Sequence, residues 1–477
     1  MAKKKNQPSL LDRNTTGGGH AQAGFLFQDN FVLANVPRWL ADDGFTLLLQ
    51  EAMGDVEVQF FEPGMPPSLE YFQVKNHDVG LPEFRTIVDT FVKLSHSGNY
   101  RHFSIACTGI SDRLKPFINA LRRIQTLVTH YDQTEVGEQS LSDLVTLGTE
   151  RGLDREKIDF LLQHVSIVDD LTPTQEHGDA LFRDALLHHF QEFDALPGLL
   201  VSHSLSRLRH RIHTHKEVPL RRHELETALF GPIESSNPPR RPVQIHTIHD
   251  TGKISNPGAI QLDWRNFWGG EQRIYPPVHV WNDRLVAALV ELRHWIIDNR
   301  TTRRIQLTGN RRLSSSLAFG SVFSAVSGFQ VEAWHRDEWW KTDDHPDTDT
   351  PNYILDASLR GDKAESLVVS IGILRDIRSE VETSCKSLGL KDLPILHIHG
   401  MQPLITAQHA NRAVANIKQV MHDAVVAASS HKIHLFYAGP AHMALFLGHR
   451  LNALGTKVQC YERTSVAVYV PTCTLFT

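Results

Sequence analysis

The spacing of apolar residues predicts an α/β arrangement over the first 115 residues. Apolar positions recur every three to four residues over 23–40, directly after three glycines, which predicts a helix. A second helix is expected at 82–95. Shorter apolar runs bounded by Gly, Pro and polar residues predict four strands, at 46–51, 56–61, 69–74 and 102–108. The predicted order is therefore helix, three strands, helix, strand.

Residues 116–233 have a different pattern, in which strand-like runs disappear and amphipathic helical spacing dominates. We expect a helical middle region associated with the preceding unit. It contains a basic run at 207–211, followed by Arg221 and Arg222. Such a run is expected to form a solvated helix face, and the alternative is a phosphate-contacting edge of a cleft.

Residues 234–242 are rich in Pro, Ser, Asn and Arg and are predicted to be a linker, after which strand and helix patterns alternate. Strands are predicted at 304–308, 330–334, 367–373, 395–399, 433–438 and 458–461. Helices are predicted at 313–326, 376–388, 407–428 and 443–454. An Asp-rich loop at 341–350 separates two halves. This alternation predicts a parallel sheet with helices around it and ligand sites beyond the carboxyl ends of the strands.

Composition narrows the class of protein. A chain of 477 residues is too long for one core, so two or three domains are expected, and 41% hydrophobic with 22% charged residues is typical of a globular protein. No apolar run approaches the roughly 18 residues that a membrane span needs. The basic, polar start is not a secretory signal, and we expect a disordered tail at 1–15.

Charge and cysteine usage point to a protein of a reducing compartment without a large DNA-wrapping surface. The net charge of −5 allows only a local basic cleft. The four cysteines lack CxxC spacing and lie mostly in apolar runs, which predicts buried, reduced thiols: Cys107, Cys385, Cys460 and Cys473. The His213/His215 and His397/His399 pairs have no third ligand nearby in sequence, so a zinc site is not expected.

The candidate catalytic pattern is Asp55 followed by Gln73-x-Lys75. Because strand side chains alternate between faces, Gln73 and Lys75 project together, as do Asp55 and Glu57. A carboxylate, a second oxygen ligand and a lysine facing one point suit a hard cation such as Mg²⁺ or Mn²⁺. This order is typical of metal-dependent nucleases with a restriction-endonuclease core.

Two later segments, 307–320 and 436–448, look like a degenerate internal repeat. Each has an apolar strand, a glycine, a small or polar turn and a helix that carries another glycine. A glycine allows a ligand to approach the backbone, and a helix N-terminus offers free amides to a phosphate. For a single such segment, tight strand–helix packing is the favoured interpretation, but two of them, one with Arg311 and Arg312, favour a phosphate-containing ligand.

The C-terminal part, roughly 243–477, resembles a SAVED domain. The resemblance is carried by 262–264 (Leu-Asp-Trp), Phe267, Trp281, 309–314, 339–343, 369–373 and above all 434–441. The part at 16–115 resembles an Mrr-like, PD-(D/E)xK-type endonuclease, through 24–28 (Gly-Phe-Leu-Phe-Gln), Glu51, Asp55 and 73–75. Together they resemble the nuclease effectors of cyclic-oligonucleotide-based antiphage signalling (CBASS).

The resemblance implies a multidomain α/β fold whose SAVED domain consists of two fused CARF/Rossmann-like halves. It also implies binding of a cyclic oligonucleotide, often a trinucleotide, self-association on binding, and cutting of double-stranded DNA with little sequence preference. The family acid is replaced by Gln73, so Glu51 or Glu57 is expected to complete a metal shell formed by Asp55 and Gln73. Lys75 would activate the attacking water, and Gln28 would lie near the metal or the scissile phosphate.

The expected ligand pocket is lined by the two strand ends, with a base stacked on an aromatic side chain such as Trp339. Its expected residues are Gly309, Asn310, Arg311, Arg312, Leu313, Ser314, Ser315, Trp339, Ala438, Gly439, Pro440, Ala441 and His442. Two alternatives remain open. One is a non-enzymatic cyclic-nucleotide sensor with a decayed nuclease core, and the other is a nucleotide-dependent α/β enzyme acting through the C-terminal half.

Overall fold

The chain divides into two units in a computed structural model that describes residues 17–51, 54–131, 135–231, 241–249, 258–452 and 454–476. The first unit comprises 1–62 and 66–238, and the second comprises 63–65 and 239–477. The expected tail at 1–15 and residues 234–240 of the expected linker lie outside the described residues. Both units combine helices and sheets, so the predicted α/β class is confirmed.

The first unit is built on one six-stranded sheet in the order β5-β4-β3-β2-β1-β6. Its strands are β1 (Phe45–Gln50), β2 (Val56–Phe60), β3 (Ser68–Val79), β4 (Tyr100–Ile110), β5 (Val165–Val168) and β6 (Leu220–Arg221). Its helices are α1 (Gly17–Ala41), α2 (Leu81–Ser97), α3 (Lys115–Tyr131), α4 (Glu135–Glu150), α5 (Arg155–His164), α6 (Gln175–His189), α7 (Gly198–Thr214) and α8 (Arg222–Phe230). The predicted order of helix, three strands, helix and strand is confirmed, although the three glycines lie inside α1 rather than before it.

The middle region is not purely helical, because it supplies both edge strands of the sheet. β5 pairs in parallel with β4, and β6 pairs antiparallel with β1. These strands of four and two residues are too short to show a period of two.

The expectation of a solvated basic face is wrong for three arginines of the middle region. Arg209 pairs with Asp179, and Arg211 pairs with Glu224. Arg222 is 3% exposed and donates to the carbonyl oxygens of Leu40 and Asp42. Arg222 therefore attaches the middle region to the end of α1 and the start of the sheet, whereas Arg209 and Arg211 form ion pairs within the middle region.

The second unit contains two mainly parallel sheets, ordered β11-β10-β9-β7-β8 and β12-β14-β13-β15-β16-β17. The first has β7 (Val243–Ile248), β8 (Ile260–Asp263), β9 (Arg304–Thr308), β10 (Gln330–His335) and β11 (Glu338–Lys341). The second has β12 (Leu355–Arg360), β13 (Ser366–Ile373), β14 (Ile395–Gly400), β15 (Lys432–Ala438), β16 (Lys457–Ser465) and β17 (Val468–Phe476). β11, β12 and β17 are antiparallel edges.

The helices of this unit are α9 (Arg265–Trp268), α10 (Val278–Val280), α11 (Ala287–Asn299), α12 (Leu313–Val322), α13 (Arg378–Ser387), α14 (Ala407–Ala428) and α15 (Ala441–Arg450). The expected alternation and the two halves are confirmed. α12 follows a central strand of the first half, and α15 follows one of the second half, so the predicted internal repeat is visible in the fold.

α12 and α15 cross at their glycines. A Cβ atom on Gly320 would lie 2.1 Å from the Leu445 carbonyl oxygen, and one on Gly448 would lie 2.2 Å from the Leu317 carbonyl oxygen. The contact is reciprocal, since each glycine lies three residues after the carbonyl that the other approaches. These two glycines therefore serve close helix packing rather than ligand contact.

Two predictions from composition are also answered by the structure. The four cysteines are buried and free, as expected. In the described part of the chain, no helix has the length and apolar character to cross a membrane.

Candidate functional site

The β2–β3 pairing brings Asp55 and the Gln73-x-Lys75 pair together. Val56 lies opposite Phe72 in the antiparallel register, so Asp55, just before the strand, lies opposite Gln73. Its Oδ2 accepts hydrogen bonds from Gln73 Nε2 at 2.5 Å and from the Val74 backbone NH at 2.6 Å. Lys75 Nζ is 3.2 Å from the same oxygen. The three residues that the sequence singled out thus form one polar cluster.

The core explains why this cluster forms on one face of the sheet. Phe72 and Val74 of β3 pack with α1, whereas Tyr71, on the face of Gln73 and Lys75, packs with α2. Burial, with the negative charges of Glu57 and Asp55, raises the pKa of Tyr71 to about 12. Glu57 therefore lies on the Asp55 side of the sheet, as strand alternation predicted.

Gln28 and Glu51 occupy different positions around Asp55. Gln28, in α1, donates to the main-chain oxygen of Asp55, so it supports the backbone of this residue. The Glu51 backbone NH also donates to that oxygen, at 3.1 Å. The Glu51 carboxylate contacts Lys216 instead, with Oε1 3.5 Å from Nζ.

A second charged cluster beside this site was not predicted from sequence. Asp29, 4% exposed, accepts from His213 Nδ1 at 2.9 Å and lies 3.5 Å from Lys216 Nζ. Gln50 Nε2 is 3.4 Å from the same carboxylate. A charged residue within the apolar stretch of α1 could have drawn attention to Asp29. No local pattern in the sequence connects Asp29 with Lys216.

The donor set around Asp55 suits a hard cation but contains few carboxylates. Carboxylate and amide oxygens are the ligands that Mg²⁺ and Mn²⁺ accept. Gln73 directs its amide nitrogen at Asp55, so its oxygen would face a shared cation only after the amide rotates. Within the described ranges, no group of three or more His, Cys, Asp or Glu side chains is placed to hold a metal ion.

In the second unit, the expected ligand segments lie at the carboxyl ends of β9 and β15. Gly309 has φ +86°, and a Cβ there would lie 2.3 Å from the Thr247 carbonyl oxygen, so packing against β7 requires this glycine. Thr247 Oγ1 donates to the carbonyl oxygens of Thr308 and Asn310, both at 3.1 Å. These two hydrogen bonds from β7 hold the turn in place. The exposed Asn310 contacts His249 at 3.2 Å.

The N-terminus of α12 is already occupied by an internal carboxylate. Glu462, on β16, accepts from the Ser314 backbone NH at 2.6 Å, and burial raises its pKa. Ser314 and Ser315 are buried, and their hydroxyls bond to Thr472 and to the Arg312 carbonyl oxygen. A ligand phosphate would have to displace Glu462 to reach these amides.

The two adjacent arginines have different surroundings. Arg312 donates to the Trp268 carbonyl oxygen at 2.6 Å and stacks over the Trp268 ring at 4.1 Å, so it is a packing residue. Arg311 donates to the Gly309 carbonyl oxygen at 2.8 Å, whereas its buried Nε has no hydrogen-bond acceptor in the described part of the chain. Burial lowers the Arg311 pKa to about 10.

Aromatic rings cluster at the start of α15. His442 packs on His335 with centroids 3.9 Å apart and on Trp340 at 4.6 Å. Burial, with the charges of His335, Arg311 and Arg336, lowers the His442 pKa to about 3, so this imidazole is neutral. Burial, His249 and Arg311 lower the pKa of His246, on β7. Arg311 thus lies close enough to His442 and His246, one from each half, for its charge to lower the pKa of both.

The remaining expected pocket residues are half-buried or paired. Leu313, Ala438, Gly439, Pro440 and Ala441 are half-buried. Trp339 packs edge-on against the exposed Trp334 at 5.0 Å, on the hairpin face opposite Trp340. His335 and Arg336 lie near His442, and His246 lies near Arg311. All three were missed from sequence, because nothing local shows what their strands and turn face.

Two family profiles match separate parts of the chain. Residues 16–173 match "Cap4, dsDNA endonuclease domain". Residues 289–475 match "SMODS-associated and fused to various effectors sensor domain", the SAVED domain. The resemblance noted from sequence is confirmed in both parts.

Relatives match over nearly the whole length. CD-NTase-associated protein 4 from Moraxella osloensis is 25% identical over 476 residues, covering 98% of this chain and 99% of the relative. The protein of that name from an Acinetobacter strain is 25% identical over 474 residues, with the same coverage.

Solved structures match the fold. The Acinetobacter baumannii Cap4 SAVED/CARF-domain receptor with the cyclic trinucleotide 2'3'3'-cAAA superimposes with a TM-score of 0.83 at 23% identity, covering 95% of this chain and 99% of that one. The Moraxella osloensis receptor gives a TM-score of 0.78 at 24% identity, covering 95% and 100%. This chain therefore combines a Cap4 nuclease domain with a SAVED domain and is homologous to CD-NTase-associated protein 4.

Proposed function

We propose that this protein is an antiphage effector of the bacterial cytoplasm that cuts double-stranded DNA when a cyclic trinucleotide binds its SAVED domain. Binding would drive self-association, and cutting would be metal-dependent with low sequence preference. The observation that carries the proposal is the convergence of Gln73, Val74 and Lys75 on one oxygen of Asp55. Packing alone does not require an acid, an amide and a lysine to lie together.

The chemistry assigns a separate task to each side chain. Asp55, with the Gln73 oxygen and Glu51 or Glu57, would hold Mg²⁺ or Mn²⁺, which when bound polarises the scissile phosphate. Lys75, within hydrogen-bond reach of Asp55, orients the attacking water, accepts its proton when neutral, and offsets charge on the phosphate when protonated. Gln28 holds the Asp55 backbone in register with β3.

The ligand site supports the same proposal. Arg311 is a half-buried cation without a carboxylate partner in the described part of the chain, and its buried Nε has no acceptor there. Its charge lowers the pKa of His442, whose ring packs on His335. A guanidinium group suits a phosphate, and rings suit a base. The Acinetobacter baumannii receptor has been solved with cyclic trinucleotides, and we extend that ligand class to this chain.

One observation favours the alternative of a non-enzymatic sensor. Gln73 occupies the position where such nucleases usually have an acid. The described residues contain no group of three His, Cys, Asp or Glu side chains placed to hold a metal ion. A chain with that deficit could bind nucleotide without cutting DNA. One experiment separates the two functions.

The test is plasmid cleavage by the full chain with Mg²⁺ or Mn²⁺ and a panel of cyclic di- and trinucleotides, with particle size measured in parallel. Cleavage is expected only with metal and one class of trinucleotide, accompanied by larger particles. Lys75→Ala should lose cleavage at least 100-fold and still bind the nucleotide.

Lys115→Ala is the matched control, because Lys115 forms an exposed ion pair with Asp112 at 2.9 Å, and it should cut like wild type. Full cleavage by Lys75→Ala would remove the assignment of Lys75. Nucleotide binding without cleavage by wild type under any condition would establish the sensor alternative.

A further inference from the structure

Lys216 occupies the space between two carboxylates beside the nuclease site. It lies in the turn between α7 and β6, and its Nζ is 3.5 Å from Asp29 Oδ1 and 3.5 Å from Glu51 Oε1. Nζ also lies 4.0 Å from the centre of the Phe25 ring. A single ammonium group therefore bridges α1 and the end of β1.

The two carboxylates depend on Lys216 to different degrees. Asp29 also contacts His213 and Gln50, so it has other partners. Glu51 Oε1 is buried and accepts no hydrogen bond from the described residues, and its ion pair with Lys216 is long for a charge-assisted contact. The described residues thus place one cation, Lys216, within ion-pair distance of Glu51.

The backbone is strained at both partners of this ion pair, at Glu51 and next to Lys216. Glu51 has φ +60° and Glu217, next to Lys216, has φ +61°, a region that non-glycine residues rarely adopt. The Glu217 backbone NH donates to the Gln50 carbonyl oxygen, and the Glu51 NH donates to the Asp55 carbonyl oxygen, both at 3.1 Å. The strained turn carrying Lys216 is therefore attached to the segment that leads to Asp55.

We propose that Lys216 is an inhibitory positioning residue, which holds the Glu51 carboxylate in an ion pair and so prevents it from joining Asp55 as a metal ligand. The inference rests on the proposed function, because it assigns Glu51 to the cation of the nuclease site. An ammonium group and a divalent cation compete for the same oxygen, and the divalent cation approaches it at about 2.1 Å. Withdrawal of Lys216 frees Glu51 for the cation.

The test is calorimetric titration of the full chain with Mn²⁺, without DNA or nucleotide. Lys216→Met removes the charge and keeps most of the side chain, and it should bind Mn²⁺ about tenfold more tightly than wild type. It should also cut plasmid without nucleotide. Lys216→Arg keeps the charge and should behave like wild type in both measurements.

Lys157→Met is the matched control, because Lys157 also bridges two carboxylates, Asp89 at 2.8 Å and Asp154 at 3.5 Å. It should leave Mn²⁺ affinity unchanged. Glu51→Gln should change the affinity less than threefold in wild type, but should abolish the tenfold gain in Lys216→Met.

Three results would overturn the role of Lys216: unchanged or weaker Mn²⁺ binding by Lys216→Met, a gain that survives Glu51→Gln, or a tenfold loss from Glu51→Gln alone. The last measurement remains informative even if Lys216→Met fails to fold. Cleavage by wild type with no Mn²⁺ gain in Lys216→Met overturns this inference alone. A Mn²⁺ gain without any cleavage overturns the proposed nuclease alone.

Discussion

At the scale of single residues, neighbouring side chains of the same type have different roles, and Arg311 and Arg312 are the sharpest example. Arg312 stacks on Trp268 and donates to its carbonyl oxygen, whereas the buried Nε of Arg311 lacks an acceptor among the described residues. A ligand phosphate can supply that acceptor. Both residues were expected ligand contacts, and the geometry now separates them.

Arg311→Ala is predicted to weaken cyclic-trinucleotide binding by 10- to 100-fold, roughly the effect of losing a charge-assisted bond of 1.5–3 kcal/mol. Arg312→Ala should cost about 1 kcal/mol of stability through lost stacking, with affinity changed less than threefold. Calorimetric titration and urea unfolding of both variants measure the two effects. Equal losses of affinity would mean that both guanidinium groups contact the ligand.

The clustering of the candidate catalytic residues was predictable because strand alternation is a local rule. Once β2 and β3 pair as antiparallel neighbours, Asp55 lies opposite Gln73 and close to Lys75. The number of residues between Asp55 and Gln73 sets that register. Asp29 and Lys216 are separated by 187 positions and meet because α7 packs against α1, so no local pattern could pair them. Helix packing determines such contacts, and the local pattern of one sequence does not predict which helices pack together.

At the scale of elements, α12 and α15 show why the two repeated segments carry a second glycine. The backbones approach so closely that a Cβ at either Gly320 or Gly448 would overlap a carbonyl oxygen. Overpacking of this kind usually costs 1–3 kcal/mol. The crossing joins the two halves of the SAVED domain.

Gly320→Ala and Gly448→Ala are each predicted to lower the free energy of unfolding of the second unit by about 2 kcal/mol or more. Gly24→Ala is the control, because Gly24 lies in α1 with nothing within 4 Å of the added Cβ, and it should gain up to about 1 kcal/mol. Urea unfolding followed by circular dichroism measures all three. If Gly320→Ala reduced nucleotide affinity at unchanged stability, Gly320 would be a ligand contact.

Long elements with a clear period were predicted well, whereas several strands, most of them at sheet edges, were not. The bounds of α14 agree with the sequence prediction at both ends, since 22 residues show helical spacing clearly. Five strands of the second unit were not predicted: β7, β8, β11, β12 and β17. β12, for example, is an antiparallel edge whose side chains are half-buried or exposed, so it lacks the apolar run that reveals a buried parallel strand.

At the scale of the whole molecule, the two units differ in how they bury histidine. Among the described residues, burial lowers the pKa of one histidine in the first unit, His102. In the second unit the same effect reaches His246, His335, His397, His409, His434, His442 and His449. The second unit should therefore respond more strongly to acid.

Each of these histidines destabilises the fold as pH falls. The unfolded chain takes up a proton below its ordinary pKa of about 6.5, whereas the folded imidazoles stay neutral down to a pKa of about 4 for His434 and His449 and about 3 for His442. Their contribution is complete above pH 6.5 and is lost towards pH 4. For these three histidines the cost is about 2 kcal/mol each between pH 7 and pH 5.

We predict two thermal transitions at pH 7, of which the one belonging to the second unit falls much further at pH 5. A saturating cyclic trinucleotide, at 100 times its Kd, should stabilise that same transition by about 2.7 kcal/mol. Differential scanning calorimetry at both pH values, with and without nucleotide, assigns the transitions. Because the acid-sensitive histidines and the ligand site belong to one unit, a nucleotide that moved only the acid-insensitive transition would contradict the assignment of the sensor to the second unit.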